Sequence, residues 1–403
     1  MKWEIILLFC LLLIFPFGQL TKLSLNIPQI NLYIHDIIVI FFLLSWLLNK
    51  IFKKEKIVWP FLTRPIIGFV ICSFFSLLLA LPYYQSREVV VALLYLLRWL
   101  AYAVIYLIIV NLSLKNKQLK DKINSFLIIS IFTTAVLGFY QYFFIPDITP
   151  LTAFGWDPHY YRLVGTFLDP GYTGMIFVLG LILIAFKLWQ TKTNQQTTLN
   201  RLGRSLAFLV IYLALALTYS RSAYLAYLGG MAVLAVRKRS VKFFITIVLV
   251  GALTVYLLPR PGGEGVKLER KSTAVARIGN WRQAVQIIKD KPLFGVGFNA
   301  YRYVQRDYQF LKQSNWQKTH AGAGADSSLL FVLATTGVVG FLSFLELMRR
   351  IYQGKYNNQA VVIKAVVISL LIHSCFNNSL FYAWIMLFIW ILLGSNQQIK
   401  ENN

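Results

Sequence analysis

The 403-residue sequence contains few charged residues, and most of those are basic. Asp, Glu, Lys and Arg together make up 14% of the chain, whereas hydrophobic residues make up 58%. A soluble domain usually carries about 25% charged residues, so this composition excludes a water-soluble globular protein. The 15 acidic residues are outnumbered by 40 basic ones, which gives a formal net charge of +25. We therefore expect a membrane protein whose basic residues are distributed in a meaningful way.

Cysteine is also scarce, and the sequence lacks the clusters that usually hold metal ions or nucleotides. Its three cysteines, Cys10, Cys72 and Cys375, all fall in apolar segments, so no disulfide framework is predicted. The sequence has neither a metal-ligand cluster nor a DxD-like pair of carboxylates, and we predict no metal and no cofactor. The short motif from Gly295 to Gly297 does not follow a strand, which argues against a dinucleotide site.

Long apolar segments dominate what is present, and each is of a length that can cross a bilayer. Their predicted bounds are 4–20, 33–49, 64–83, 89–111, 123–144, 171–188, 205–219, 222–236, 241–258, 326–346, 360–377 and 379–395. The sequence thus predicts an all-α, polytopic membrane protein with about 12 transmembrane helices. The predicted divisions are 1–258 with the first nine helices, a long polar loop at 259–325, and 326–403 with the last three helices and a short tail.

The basic residues alternate from one predicted connection to the next. Clusters follow the even-numbered segments, at Lys50–Lys56, Lys115–Lys122, Lys187–Arg204, Arg237–Lys242 and Arg349–Lys355. By the positive-inside rule this pattern places both termini in the cytoplasm and exports the 259–325 loop. The clusters are therefore interpreted as topology signals and contacts with membrane lipid headgroups, and nucleic acid is not expected as a partner.

The exported loop is predicted to contain a helix of its own. Ile278, Trp281, Val285 and Ile288 recur at spacings of three and four residues and form one apolar stripe, with basic and polar residues on the other faces. Pro292 is expected to end this helix. A basic amphipathic helix of this kind is expected to lie on the membrane surface or to cap the helical bundle.

Two arginines lie at or within apolar segments, where an uncompensated charge is costly. Arg221 stands between the seventh and eighth segments with almost no loop around it, and it would require an anion or a wet cavity. Arg98 lies near the middle of the fourth segment, where an internal ion pair and a role in ligand binding both remain open.

The tract KTHAGAGADSS leads from the loop into the tenth segment and carries two candidate acid–base groups. His320 is a titratable group near neutral pH, although an exposed loop histidine often has no function. Asp326, at the mouth of the segment, is equally suited to capping a helix N-terminus and to chemistry.

Four stretches of the chain resemble one family. They read RLVGTFLDPGYTG (162–174), LTYSRSAYLA (217–226), ARIGNWRQAVQIIKDKPLFGVGFNAY (276–301) and ADSSLLFVLATTGVVGFLSFL (325–345). In this order they resemble the bacterial O-antigen ligase and O-antigen polymerase superfamily. The resemblance is close in the carboxy-terminal half, whereas the first 120 residues match only in hydropathy. It implies a multi-pass protein of the bacterial cytoplasmic membrane.

The resemblance implies a glycosyltransferase that takes its glycan from an undecaprenyl-diphosphate carrier and passes it to a lipid or glycan acceptor. Arg221 and Arg277 correspond to family arginines that hold the donor diphosphate, and Arg162 and Arg282 are further candidates for that role. A planar guanidinium matches phosphate oxygens and stabilises the leaving diphosphate. With no metal site predicted, the transfer is expected to be metal-independent.

The sequence departs from the family pattern at the base. Ligases of the family usually carry His-Asn before the tenth helix, and the histidine is the proposed base. Here the pair is Ala325-Asp326, so the base is either Asp326, which has the register, or His320, which has the chemistry. The departure makes a repeat-unit polymerase a serious alternative to a ligase. A lipid-linked glycan transporter is the alternative from another class, although no related halves are visible.

Overall fold

The computed structural model describes residues 2–23, 29–116, 118–190, 198–311, 316, 324–357 and 359–398. Over these residues the chain is almost entirely helical. The helices are α1 (Lys2–Ile14), α2 (Ile34–Phe52), α3 (Thr63–Leu79), α4 (Ser86–Lys115), α5 (Leu119–Phe144), α6 (Pro170–Gln190), α7 (Thr198–Leu217), α8 (Arg221–Lys238), α9 (Val241–Leu257), α10 (Ser272–Asp290), α11 (Tyr301–Asp307), α12 (Ser328–Gln353), α13 (Ala360–Ser374) and α14 (Ala383–Asn396). Short 3-10 helices include Phe15–Thr21, which extends α1, and Ser379–Phe381 between α13 and α14. The described strands, β1 (Lys22–Leu23) and β2 (Leu32–Tyr33), form one small antiparallel pair.

Every predicted apolar segment coincides with a helix, and the all-α prediction is confirmed. Among the described residues, seven helices are long and apolar enough to cross a membrane: α1 with its 3-10 extension, α2, α4, α5, α6, α7 and α12. Four shorter apolar helices are α3, α9, α13 and α14. The protein is thus a multi-pass membrane protein, while the count of about 12 crossings and the export of the loop remain predictions.

Contacts between helix ends show that the chain alternates between two ends of the bundle. At one end Glu55 binds both Lys50 in the last turn of α2 (3.4 Å) and Lys115 at the end of α4 (2.5 Å), and the Glu4 carboxylate of α1 accepts from Asn49 at 2.8 Å. At the other end the N-termini of α6, α8 and α12 lie beside the connection between α13 and α14. The basic connections after α2 and α4 therefore lie at the end away from these N-termini.

Helix α12 is interrupted at Gly337, where φ is 64° and ψ is −171°. The amides of Val338 and Val339 would pair in a regular helix with the carbonyls of Ala334 and Thr335, four residues earlier. Instead Val338 N donates to Pro292 O (2.8 Å), and Val339 N donates to Leu293 O (3.2 Å).

The freed carbonyls of α12 are satisfied by the same loop segment, Pro292–Gly297. Val296 N donates to Ala334 O and Gly297 N donates to Thr335 O, each at 3.0 Å. A Cβ atom on Gly295 (φ 69°) would lie 2.5 Å from the carbonyl carbon of Thr335, so only glycine permits this approach. The loop segment after α10 is thus docked into the break of α12, with all these backbone groups paired.

Helix α10 packs along α12 with a face that includes only part of the predicted apolar stripe. Ala284 and Ile287 are fully buried, whereas Ile278 and Val285 are 45% and 41% exposed. These two residues of the stripe therefore do not pack on the bundle, and contact of that part of the helix with the membrane surface stays a prediction. Trp281 does face the bundle and donates from Nε1 to the carbonyl of Asp326 at 3.2 Å. The helix ends at Asp290, before Pro292, as predicted.

Candidate functional site

One connection in the carboxy-terminal part brings three helix N-termini together. The Asn377 side chain donates from Nδ2 to Ser222 Oγ in α8 (2.9 Å), and its carbonyl accepts from Ser328 Oγ in α12 (3.3 Å). A Cβ atom on Gly171 in α6 would lie 3.2 Å from Asn377 Oδ1. Because backbone N–H groups at a helix N-terminus favour an anion, three such ends in one place make a region of positive potential.

Each of these N-termini has its own side-chain cap. Asp169 Oδ1 accepts from the amides of Gly171 (2.7 Å) and Tyr172 (2.9 Å), directly before Pro170. Ser220 and Ser327 accept from the amides three residues further on, each at 3.4 Å. The residue that caps α12 is thus Ser327, and the interpretation of Asp326 as the cap is wrong.

Four arginines gather at this end of the bundle, and two of them are committed to backbone carbonyls. Arg162 donates from Nε to Thr218 O (3.0 Å) and from Nη2 to Tyr219 O (3.2 Å). Arg270 donates to the carbonyls of Gly265 and Lys267, both at 2.8 Å, and to Tyr219 O at 3.4 Å. These two side chains fix the turn before α8 and the loop before α10.

The other two arginines keep N–H donors available. Toward the described residues Arg221 uses only Nη1, which donates to the carbonyls of Leu268 (3.2 Å) and Arg270 (3.1 Å). Arg277 makes no hydrogen bond to any residue that the structure describes, and its guanidinium lies 5.9 Å from the ring centre of Phe376. A guanidinium has five N–H donors, so Arg277 can present its whole planar fork to a ligand.

The arginines of this cluster lie close enough to lower one another's pKa values. Burial lowers the pKa of Arg162 to about 9, and repulsion from Arg270 acts in the same direction. Burial also lowers the pKa of Arg277, opposed by Asp326 and assisted by Arg221. Strongly shifted groups gathered in one place mark candidate functional sites, and here the site holds an excess of positive charge that an anionic ligand would relieve.

The carboxylate of Asp326 faces these arginines. Its backbone is held on both sides, because its amide donates to Asn280 Oδ1 (2.8 Å) and its carbonyl accepts from Trp281 Nε1 (3.2 Å). Among described residues the carboxylate itself has no hydrogen-bond partner. Burial raises its pKa, Arg277 opposes that shift, and Asp157 and Asp169 add to it. Asp326 is thus a fixed carboxylate with raised basicity, and its oxygens remain open to a substrate.

The remaining predicted residues are distributed as follows. Arg282 lies on the exposed side of α10, away from the face that carries Trp281, so the described structure does not bring it to the other arginines. Its assignment to the diphosphate stays a prediction. His320 lies outside the described residues, and its role also stays a prediction.

Arg98 has the internal partner that the sequence left open. Its Nε and Nη2 donate to the two oxygens of Asp36 at 2.8 and 2.7 Å, and Tyr102 donates to the same carboxylate at 2.8 Å. The guanidinium lies 5.3 Å from the ring centre of Tyr33. The pair therefore ties α4 to α2.

A chain of tyrosines and Gln19 links the Arg98–Asp36 pair to the site. Tyr33 donates to Gln19 (2.7 Å), Gln19 donates to Tyr382 (3.2 Å), and the Tyr382 ring stacks on Tyr172 at 4.0 Å. Tyr172 is in the first turn of α6, directly after the Asp169 cap.

Sequence reasoning missed four residues that the structure places in or beside the cluster. Asp169 carried a recognisable signal, since an acidic residue before proline is typical of a helix N-terminus. Arg270 carried none, because it lies among other charged residues, Lys267, Glu269 and Lys271. Asn377 reveals its role only when α6, α8 and α12 are packed. His159 has a buried Nε2 that meets no hydrogen-bond partner in the described part of the chain, and burial, with Arg162 and Arg270, lowers its pKa to about 3.

The fold and the cluster define a class of protein: a multi-pass helical membrane protein with arginines, helix N-termini and a carboxylate gathered at one end of its bundle. Residues 206–345 match the model of the family described as O-antigen ligase, and this match supports membership of the chain in the O-antigen ligase superfamily. The family comprises glycosyltransferase-like membrane enzymes, ligases or polymerases. No curated protein matches the chain.

The matched range has a clear relation to the site. It runs from α7 into α12 and contains Arg221, Arg270, Arg277 and Asp326. The α6 cap at Asp169 lies outside it, as does the connection between α13 and α14. These outer parts complete the site through the contacts described above.

Proposed function

We propose that the protein is a membrane glycosyltransferase that moves a glycan from an undecaprenyl-diphosphate carrier to an acceptor hydroxyl. The observation that carries this proposal is the uncommitted guanidinium of Arg277, placed beside Arg221 and close to the open carboxylate of Asp326. A cationic fork and a carboxylate at the same end of the bundle match the two ends of such a reaction, a leaving diphosphate and an attacking hydroxyl.

The arginines act on the leaving group in this proposal. As the bond between the sugar's anomeric carbon and the diphosphate oxygen breaks, negative charge grows on that oxygen. The open donors of Arg277 and Arg221 meet this charge, and the N-termini of α6, α8 and α12 add their partial positive charge. Arg162 contributes its positive charge without a direct hydrogen bond to the diphosphate, because its N–H groups already donate to carbonyls of the turn before α8.

Asp326 acts on the acceptor. The acceptor oxygen forms the new bond to the anomeric carbon while its proton passes to the Asp326 carboxylate, and the released diphosphate keeps the bonding electrons. The raised pKa of Asp326 makes it a stronger base than an exposed carboxylate. His320 remains the alternative base, and variants of both residues distinguish them.

The proposed transfer needs no metal ion. The described residues include no group of three or more His, Cys, Asp or Glu side chains that could hold one. The arginines would then supply the positive charge that a divalent cation supplies elsewhere. Transfer by purified protein is expected to survive EDTA, and activity that EDTA abolishes and magnesium restores would contradict this mechanism.

The acceptor class follows from the same chemistry. A lipid acceptor makes the enzyme a ligase, and a second repeat unit makes it a polymerase. Ala325-Asp326 in place of the family's His-Asn pair supports the polymerase as the second candidate. Incubation with donor alone separates them, because a polymerase lengthens the glycan on its carrier and a ligase does not.

The test of the proposal is transfer of glycan from a polyprenyl-diphosphate donor by purified variants. Arg277→Ala and Arg221→Ala should each lower the rate by about 10²–10³, as loss of a charge-stabilising donor does. Arg277→Lys should recover only part, since an ammonium lacks the planar fork. Lys289→Ala, at an exposed position of the same helix, is the matched control. Near wild-type rates in both arginine-to-alanine variants would refute the clamp.

The same assay tests the residues whose roles stay open. Arg282→Ala should have little effect if the exposed position reflects its role, and a loss comparable to that of Arg277→Ala would place it on the donor. Asp326→Asn and His320→Ala are compared at matched protein levels. Replacing the residue that acts as the base should lower the rate of glycan transfer by about 10²–10⁴.

The proposal also places the site outside the cytoplasm, in the bacterial cytoplasmic membrane, with both termini inside. In a cysteine-free variant, a cysteine at Ser272 should react with an impermeant reagent added to intact cells. A cysteine at Lys53, at the basic end of the bundle, should react only after the cells are opened. The reverse pattern would overturn the sidedness.

A further inference from the structure

The turn that follows α13 lies beside both arginines of the site. The ring centre of its Phe376 is 5.9 Å from the guanidinium of Arg277. The next residue, Asn377, donates from Nδ2 to Ser222 Oγ at 2.9 Å, and Ser222 directly follows Arg221 in α8. The position of this turn therefore bears on both guanidinium groups that are proposed to meet the diphosphate.

The same turn holds the start of α12. The carbonyl of Asn377 accepts from Ser328 Oγ (3.3 Å), and that hydroxyl accepts in turn from the amide of Leu380 (3.1 Å). Ser328 is the first residue of α12 and comes two positions after Asp326. Through Asn377, one short connection thus links the helix ends beside the carboxylate and beside the arginines.

Two contacts fix how the Asn377 amide is turned. Its Nδ2 group has two N–H donors; one serves Ser222, and the other faces Nε2 of His373 at 3.3 Å. Its Oδ1 then lies on the side of α6, where a Cβ atom on Gly171 would be 3.2 Å away. This orientation requires that Nε2 of His373 accepts a hydrogen bond.

His373 is a fully buried residue in the last turn of α13, and the mechanism so far gives it no role. Its Nδ1 lies 2.5 Å from Ser379 Oγ. Because the Asn377 amide donates to Nε2, that nitrogen carries no proton, so the ring is neutral and donates from Nδ1 to Ser379. A second proton would set an N–H of the ring against an N–H of the amide.

We propose that His373 is a positioning residue for the transfer. Its neutral ring, protonated on Nδ1, fixes the Asn377 amide, and Asn377 aligns the helix ends that carry Arg221 and Asp326. This inference rests on the proposed function and assigns His373 no contact with donor or acceptor. It predicts that the loss of His373 and the loss of Asn377 disturb the same step.

Three variants of His373 separate hydrogen bonding from packing. His373→Gln keeps an oxygen that can reach the position of Nε2 and accept from Asn377. His373→Phe fills the space without an acceptor, and His373→Asn can donate to Ser379 but is too short to reach Asn377. Ser369→Ala is the matched control, because Ser369 is equally buried one turn earlier in α13 and donates to Ala226 O (2.7 Å), away from Asn377.

Glycan transfer by these purified variants is the first test. His373→Phe and His373→Asn should each lower kcat/KM by about 10- to 100-fold, since a small misplacement of charged groups at a site has effects of this size. His373→Gln should restore most of the rate, and Ser369→Ala should keep the wild-type rate. Equal losses in His373→Gln and His373→Phe, or no loss in either, would overturn the proposal.

A double-mutant cycle tests whether His373 acts through Asn377. Asn377→Ala should lower kcat/KM about as much as His373→Phe does, and the variant that combines both changes should show little further loss. Losses that multiply in the combined variant would show two independent contributions and refute the positioning role.

The protonation of the ring is measured without catalysis. NMR spectra of protein carrying isotope-labelled histidine should show His373 protonated on Nδ1 alone at neutral pH, with its signal assigned by its absence in His373→Gln. A ring protonated on Nε2, or on both nitrogens, would overturn the inference for the wild-type protein, whatever the variants do.

Binding of undecaprenyl diphosphate, which carries no glycan, separates this inference from the proposed function. The dissociation constant should rise in His373→Phe and Asn377→Ala and should keep its wild-type value in His373→Gln and Ser369→Ala. This pattern in a protein that transfers no glycan would uphold the positioning role and reject the transferase. Wild-type binding and transfer in His373→Phe would reject the positioning role alone.

Discussion

Replacing Arg98 with methionine should destabilise the protein strongly, because it leaves the Asp36 carboxylate buried without a counter-charge. The carboxylate side chain is 7% exposed and loses two charge-assisted hydrogen bonds of 2.8 and 2.7 Å. Of its described hydrogen-bond donors it keeps the Tyr102 hydroxyl and the amide of Tyr33. Removing one partner of a buried ion pair typically costs about 3–5 kcal/mol, and we expect a loss in this range.

Asp36→Asn and the double variant test whether the loss of stability in Arg98→Met comes from the broken ion pair. Asp36→Asn keeps an oxygen that can accept from the guanidinium, whose side chain is 17% exposed and also donates to Asn31 O. Its loss should be smaller, about 1–3 kcal/mol. The double variant Arg98→Met/Asp36→Asn buries no charge and should be more stable than Arg98→Met alone. The coupling between the two sites should be about 1–3 kcal/mol.

The assay is unfolding of the purified protein in mixed micelles by increasing fractions of sodium dodecyl sulfate, followed by circular dichroism. Arg64→Met, at an exposed position of α3, is the control and should stay within about 0.5 kcal/mol of wild type. A loss below about 1 kcal/mol for Arg98→Met, or purely additive losses in the double variant, would refute the account of a mutually dependent buried pair.

Three further predictions concern the site. Gly337→Ala should destabilise the protein, since Gly337 has a positive φ and a Cβ atom there would clash with the backbone of Leu293. The same unfolding assay should show a loss of about 1–3 kcal/mol in the free energy of unfolding, whereas Gly279→Ala should cause no large change. If Asp326 is the base, its raised pKa should place the acidic limb of the pH–rate profile above that of an ordinary carboxylate. Asp169→Asn, which keeps the capping oxygen but removes a like charge, should move that limb to lower pH, and an unmoved or rising limb would contradict the assignment.

The sequence predicted the helices well because each apolar segment must bury its own backbone polar groups in lipid, a constraint that is local in sequence. It could not name the partner of Arg98, because Asp36 reaches that arginine only when α2 and α4 pack together. It also could not decide which face of α10 packs on the bundle. Apolar periodicity selects Ile278 and Val285, whereas a helix that lines a site can turn polar residues such as Asn280 toward the bundle. These failures share a cause, since each depends on contacts between distant segments.

Some of the site residues were likewise predicted from the sequence, whereas others depend on contacts that only the structure shows. Arg221 and Arg277 were predicted from the resemblance, and the structure leaves N–H donors open on both. Asp326 and Ser327 are adjacent and both suit a helix N-terminus, so the sequence could not decide which one caps α12. The structure assigns the cap to Ser327, and that choice leaves the neighbouring carboxylate open.

The interrupted backbone of α12 has a consequence for how the chain is assembled during synthesis. Amides and carbonyls on both sides of Gly337 have no partner within their own helix, and an unpaired backbone group in lipid costs several kcal/mol. Their partners lie in Pro292–Gly297, which leaves the ribosome before α12 does. We therefore expect insertion of α12 to be complete only when this earlier segment has docked beside it. The same docking would draw α10 against the bundle, so Arg277 would reach its place in the step that completes α12.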